Sequence, residues 1–190
     1  MNEERVIALL GSTGSGKTHM LAALIRTAPR VILIDPMTDS KNFQNWGTSV
    51  STIQEAEQRT RQPKFRIRWS GSRSPILFES LCWLAIQRGN VILAVDEIQF
   101  FVKKNAQSIP KYFQECCLAG RHQGVSVYCT SQRPALTHND FLSQVQRWYL
   151  FKMQFADDVD AVKRMIPGAE TSLSFSTPGQ FLTFPGPKAT

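Results

Sequence analysis

The sequence predicts an α/β fold with three layers: a mainly parallel central sheet carrying helices on both faces. Three observations lead there. Short, near-continuous apolar runs recur at 5–10, 31–35, 91–95, 125–131 and 147–153, each about the length of a buried strand. Segments of helical composition separate them, and strands alternating with helices build a parallel sheet. The first run is followed at once by the glycine-rich stretch GSTGSGKT and then by an apolar helical segment.

Taken in order, residues 5–10 read as the first buried strand and 11–18 as the loop after it. Residues 19–28 are apolar and helical in composition, closed by Pro29. VILID, 31–35, is a second buried strand, and 36–50, with Pro36, Gly47 and many polar groups, is mostly loop. A polar helix over 52–61 leads to KFRIRW, 64–69, which alternates like a strand. A helix over 74–88 puts Ile76, Leu77, Leu81, Leu84 and Ala85 on one face and stops at Gly89 and Asn90. VILAV, 91–95, is the third apolar run. Residues 108–121 read as a helix, 125–131 and 147–153 as strands, and 157–166 as a helix ending at Pro167. GQFLTFPG, 179–186, suggests a last edge strand or hairpin. The 190 residues fit one domain, in which 36–73 is an insertion or partner-facing region and 168–190 an edge strand or tail.

The net charge of +7 favours a polyanionic partner or an anionic surface. Cys82, Cys116, Cys117 and Cys129 form no C-x-x-C pair, and His19, His122 and His138 are not spaced from them as zinc ligands. Four reduced thiols in a reducing compartment are expected. No apolar run approaches the ~18 residues of a membrane span, and the start, MNEERVIALL, lacks a signal-peptide pattern. A cytoplasmic protein is the expectation.

GSTGSGKT fits G-x-x-x-x-G-K-[ST] in full, between a strand and a helix. Gly11, Gly14 and Gly16 let successive backbone N–H groups turn inward around a phosphate, and the helix that follows adds its positive end. Gly11, Ser12, Thr13, Gly14, Ser15, Gly16, Lys17, Thr18 and His19 are the candidate nucleotide-binding set. Lys17 would neutralise β- and γ-phosphate charge, and the Thr18 hydroxyl would ligate Mg²⁺. VILAVDEI ends a buried strand in Asp96, placed to hold the same Mg²⁺. Glu97 follows at once and can polarise a water for attack on the γ-phosphate; many P-loop kinases lack this second acid. ATP and Mg²⁺ are the implied cofactors. In VYCTSQRPA, 127–135, a buried strand ends in Gln132 and Arg133, polar chemistry that a simple turn does not need.

Four stretches together resemble the P-loop ATPases of the FtsK–HerA superfamily, which includes cellular DNA pumps and viral genome-packaging ATPases. They are GSTGSGKTHM, VILAVDEIQFF, GRHQGVSVYCTSQRPA and WYLFKMQFADDVDAVKRMIP. The resemblance implies a three-layer, RecA-like (ASCE) P-loop NTPase that hydrolyses ATP and translocates double-stranded DNA. It gives Gln132 the part of the polar sensor and Arg121 that of an arginine finger reaching a neighbour's ATP, with Arg133 as the alternative finger. A finger in trans implies a ring, a hexamer by analogy. Without the added domains of the cellular pumps, the chain is closest to the viral packaging ATPases. Its partners would then include capsid or portal-vertex proteins, in the host cytoplasm or on the virion.

Basic residues bunch in two places that could touch DNA. Lys64, Arg66 and Arg68 would share one face of KFRIRW, and Lys103 and Lys104 lie in the loop after the paired acids. Two other readings compete. DEIQFF resembles the acid–aromatic segment of thymidine-type deoxynucleoside kinases, but their cysteine-bound zinc lasso is not present. A phage morphogenesis or secretion ATPase would ordinarily need a membrane segment.

Overall fold

The computed structural model describes residues 4–37, 41–166, 168–169 and 177–186, apart from the side chain of Arg121. Eight strands form one sheet: β1 (Val6–Leu10), β2 (Arg30–Asp35), β3 (Thr48–Val50), β4 (Phe65–Ser70), β5 (Ile92–Val95), β6 (Ser126–Ser131), β7 (Arg147–Phe151) and β8 (Phe181–Pro185). Their order is β3-β4-β2-β5-β6-β1-β7-β8. Every pairing is parallel except β7 with the edge strand β8. Parallel strands need long crossovers, and helices supply them: α1 (Lys17–Ile25), α2 (Ile53–Arg59), α3 (Pro75–Arg88), α4 (Lys111–Leu118), α5 (Gly120–Gln123) and α6 (Asn139–Leu142); α7 (Ala156–Met165) lies between β7 and the antiparallel β8. The α/β class and the helices on both faces are as the sequence predicts. No described helix is long and apolar enough to cross a membrane.

Strand alternation divides the interior into two cores. On β1, Ile7 and Leu9 join Leu21 and Ile25 of α1 together with Val31, Leu33, Phe43 and Phe151. Val6, Ala8 and Leu10 point the other way, into a larger core shared with α2, α3, α4, α6 and α7. There Phe78 stacks on Phe101 at 4.3 Å between centroids and meets Phe113 at 5.4 Å, which in turn meets Phe141 at 5.4 Å. Each buried ring contributes roughly 1.5–3 kcal/mol. This ladder ties the loop after β5 to three helices.

Local chemistry sets the helix ends. The Thr52 hydroxyl accepts from the Glu55 N–H while the Glu55 carboxylate accepts from Thr52 N–H, a capping box that starts α2. Ser74 caps α3, with Pro75 in its first turn and Gly89 after its end. On α7, Asp157 and Asp158 sit at the positive end and Lys163 and Arg164 at the negative end.

Two elements differ from the sequence reading. The helix expected over 108–121 starts only at Lys111, after Pro110, and breaks into α4 and α5. Gly120 at the break sits where a Cβ would lie 3.1 Å from the Val125 side chain. The region read as loop contains β3, three residues on the outer edge. Three residues are too few to show a period of two.

Candidate nucleotide site at the carboxyl edge of the sheet

Three strands that are not consecutive in sequence stop within two residues of one another. Leu10 pairs with Ser131, and Val95 with Cys129. The stretches that follow β1, β5 and β6 therefore meet at one edge: the glycine-rich loop, Asp96–Glu97 and Gln132–Arg133. Ligands of open α/β sheets bind at this carboxyl edge.

The loop is built to come close to its surroundings. At Gly11 (φ +155°) a Cβ would lie 2.7 Å from Phe151 Cβ, and at Gly16 (φ +106°) one would lie 3.1 Å from Gly179 Cα. The Ser12 N–H donates to the Lys152 carbonyl at 2.8 Å, and the Gly179 N–H to the Ser15 carbonyl at 2.9 Å. The segment around Gly179 thus rests on the loop. Lys17 is buried, and its Nζ donates to the Ser12 carbonyl at 2.9 Å. Burial lowers its pKa, opposed by the negative charge of Glu97 and Asp96.

The two acids are held differently. Asp96 is 3% exposed and accepts from the Thr130 hydroxyl at 2.6 Å and the Thr18 hydroxyl at 3.2 Å. Burial pushes its carboxyl up to about 6; the Thr130 and Thr18 hydroxyls pull it down, and Glu97 and Asp35 push it further up. Glu97 adopts the left-handed conformation (φ 55°, ψ 56°) at the start of the 3-10 turn Ile98–Phe100. For a long side chain this costs about 1–3 kcal/mol and turns the carboxylate in toward the loop. Its N–H donates to Thr130 Oγ1 at 2.9 Å. Its carboxylate accepts from Gln99 Nε2 at 2.5 Å, from the Gln132 backbone N–H at 3.3 Å, and from the Gln132 side-chain amide. Gln132 Oε1 in turn accepts from the Thr13 hydroxyl at 2.5 Å. One amide therefore links the glycine-rich loop to the second acid.

No motif in the sequence marks Thr130 or Gln99. Thr130 is one of four hydroxyl residues on β6, with Ser126, Tyr128 and Ser131, so the sequence does not single it out. Asp35, the acid at the tip of β2, is likewise unmarked. It is fully buried, and it pairs with Arg68 at 2.7 Å. Lys152 and Gln154, beyond β7, line a cavity of about 140 Å³ beside Thr13 and Gly14.

The basic residues separate. Arg66 and Arg68 do lie on one face of β4, but that face is covered. Arg68 is 8% exposed and also donates to the Phe43 carbonyl at 2.8 Å, while Arg66 Nε donates to the Ala28 carbonyl at 2.9 Å. The expectation that Arg68 touches DNA is corrected, since Arg68 holds a buried ion pair; Arg66 is half-buried, with its Nε on the Ala28 carbonyl. Lys64 precedes the strand. Lys103 and Lys104 are exposed, and their loop is stitched to the segment after Gln132. Lys103 bridges Thr137, Lys104 N–H donates to the Leu136 carbonyl at 2.8 Å, and His138 N–H to the Val102 carbonyl at 3.1 Å.

Of the two candidate fingers, Arg133 is engaged within its own chain. Its Nε donates to Asp158 at 2.9 Å and its guanidinium lies 4.6 Å from the centroid of the Phe155 ring. The Arg121 backbone is in α5, at the amino end of β6. It is separated from the loop of its own chain by the length of that strand, roughly 20 Å.

The sequence matches the AAA domain family over residues 1–145. No curated protein matches it at the level of sequence. Among solved structures, the genome packaging NTPase B204 of Sulfolobus turreted icosahedral virus 2, in complex with ATP-gammaS, superposes with a TM-score of 0.80 at 17% identity, over 97% of this chain and 94% of that one. B204 of Sulfolobus turreted icosahedral virus, a DNA-packaging ATPase, gives 0.75 at 18%, over 97% and 94%. The cytoplasmic domain of the Type VII secretion ATPase EccC from Thermomonospora curvata gives 0.53 at 14%, over 81% of this chain and 20% of that one. At these identities the likeness is one of fold. A strand–glycine loop–helix unit flanked by acids at the carboxyl edge, together with the family match over residues 1–145, places the protein: the chain belongs to the AAA domain family of P-loop ATPases.

Proposed function

We propose that the chain is an ATP-driven translocase of double-stranded DNA, the motor of viral genome packaging, working as a ring. The observation that carries this reading is the line Thr13–Gln132–Glu97, continued from Gln132 along the backbone to the segment bonded to the exposed Lys103–Lys104 loop. It joins the nucleotide loop, the hydrolytic acid and a basic surface in one hydrogen-bonded path. The fold shared with packaging NTPases supports the same reading.

In this reading the loop amides and Lys17 hold the phosphates. Thr18 and Asp96, 3.2 Å apart, suit a divalent cation: a hydroxyl and a buried carboxylate are hard oxygen donors, and a cation would offset the cost of the buried anion. Bound Mg²⁺ would supply charge neutralisation of the phosphate oxygens. Glu97 takes a proton from water as the oxygen attacks the γ-phosphorus and the bond to the ADP oxygen breaks. Gln132 holds Glu97 before phosphate arrives, and its amide is positioned to turn to the γ-phosphate instead. That exchange shifts the segment bonded to the lysine loop. Arg121 acts on the ATP of the adjoining subunit, since Arg133 is engaged by Asp158. A second acid beside the first suits water as the acceptor and not a nucleoside hydroxyl.

The test is ATP turnover against protein concentration, with and without duplex DNA. The proposal expects specific activity to rise cooperatively with concentration and to rise again with DNA. Constant specific activity, indifferent to DNA, rejects it.

A further inference from the structure

We infer that two surfaces on one face of the sheet, toward its opposite edges, are the two halves of one head-to-tail contact between copies of this chain. The inference rests on the ring reading above and names the surface on which the ring closes.

The first surface is a cavity of about 480 Å³ framed by α6, α7 and the 3-10 turn Pro134–Leu136. Leu142, Trp148 and Met165 supply apolar lining, and its charged residues, Lys104 and Arg164, are both exposed cations. The second is a concave surface of about 530 Å³ on α2 and α3. Ile76 stands 78% exposed there, the most exposed of the large described hydrophobic residues, and Trp83 is 38% exposed. The charged residues of this surface, Glu57 and Glu79, are both anions.

The charges that line the two surfaces are complementary. Both combine apolar area with two charges, cations on the first and anions on the second. Pairing the second surface with its own copy would set Glu57 and Glu79 against the same anions. Both lie on the same layer, since α2, α3, α6, α7 and Trp148 all bound the larger core. They stand apart on it. The second surface lies over the β3-β4-β2-β5 half of the sheet, since α2 packs on β3 and β4 and α3 on β2 and β5, and the first lies toward β7, with β6 and β1 between β5 and β7. At ~4.8 Å per strand, the three steps from β5 to β7 alone are about 14 Å. Complementary patches at separate places on one molecule make a heterologous contact, which repeats from copy to copy and forms a ring when the rotation closes. An exposed apolar side chain such as Ile76 facing a neighbour's apolar cavity is the anchor of such a contact.

The test uses two exposed changes, one on each half: Ile76→Asp, and Asn139→Trp with Arg164→Glu. Particle masses are measured for the full chain with a non-hydrolysable ATP analogue and duplex DNA. Wild type is expected to assemble beyond a dimer. Each variant alone should stay monomeric, and an equal mixture of the two should stop at dimers, because one intact copy of each half remains. Glu57→Arg should weaken assembly tenfold or more, and Glu57→Arg combined with Arg164→Glu should recover it. Variants that assemble like wild type, or a mixture that grows past dimers, overturn the interface and leave the ring reading standing. A wild-type chain that stays monomeric with nucleotide and DNA overturns the ring reading itself. Melting temperatures matched to wild type exclude misfolding; if Ile76→Asp does not fold, the charge exchange decides.

Discussion

Replacing Asp96 by Asn should stabilise the nucleotide-free protein while abolishing hydrolysis. The carboxyl is 3% exposed, and burial pushes it up from 3.8 to about 6 despite the hydroxyls of Thr130 and Thr18. Because the folded-state value lies above the unfolded one, the folded chain binds more protons than the unfolded chain between the two values. Stability therefore falls as pH rises through that window. The penalty is absent below pH 3.8 and complete above about 6. A shift of about 2 pH units at 1.36 kcal/mol each gives about 3 kcal/mol. Asn is neutral throughout and keeps an oxygen to accept from Thr130. At ~2–4 °C per kcal/mol for a chain of this size, D96N should melt ~6–12 °C above wild type at pH 8 in EDTA. The gap should close as the pH approaches 4. Added Mg²⁺ should raise the Tm of wild type and leave D96N where it was. Equal melting at pH 8, or a gap constant from pH 8 to 4, would refute the claim that a buried anion is held there at the expense of stability.

Four further outcomes are expected. Glu97→Gln should bind ATP with near wild-type affinity while its turnover falls ~10²–10⁴-fold, as for loss of a general base; near-normal turnover rejects the role. Thr130→Val leaves the Glu97 N–H and the Asp96 carboxylate each short of a partner, so denaturant unfolding should show a loss of about 1–3 kcal/mol, with kcat falling more than nucleotide affinity. Arg68→Ala strands the Asp35 carboxylate in the interior and should cost about 3–5 kcal/mol; the folded fraction should bind DNA as wild type does, which a filter-binding assay checks. Lys103→Ala should keep the fold and flatten the log–log salt dependence of DNA binding by about 0.9, the contribution of one lysine paired with a phosphate.

The amino-acid sequence alone determined the parts whose cause is local. A glycine pattern between a strand and a helix demands the backbone turns of the phosphate loop, so Gly11 to Thr18 could be read without knowing what surrounds them. Apolar runs of strand length, each feeding a helix, implied the α/β class and put Asp96–Glu97 and Gln132 at strand tips. Only the tertiary structure decided which tips meet. β1, β5 and β6 are far apart in sequence and near neighbours in the sheet; Leu10 ends level with Ser131, and Val95 ends opposite Cys129, so Asp96 follows beside Thr130. That register is why Gln132 reaches both Thr13 and Glu97, and why Thr130 reaches both acids. Alternation also states which residues share a face of a strand, never what covers it. Arg66 and Arg68 share one as the pattern required, yet Asp35, Phe43 and Ala28 close over them. Contacts between distant segments depend on strand order, which periodicity does not encode.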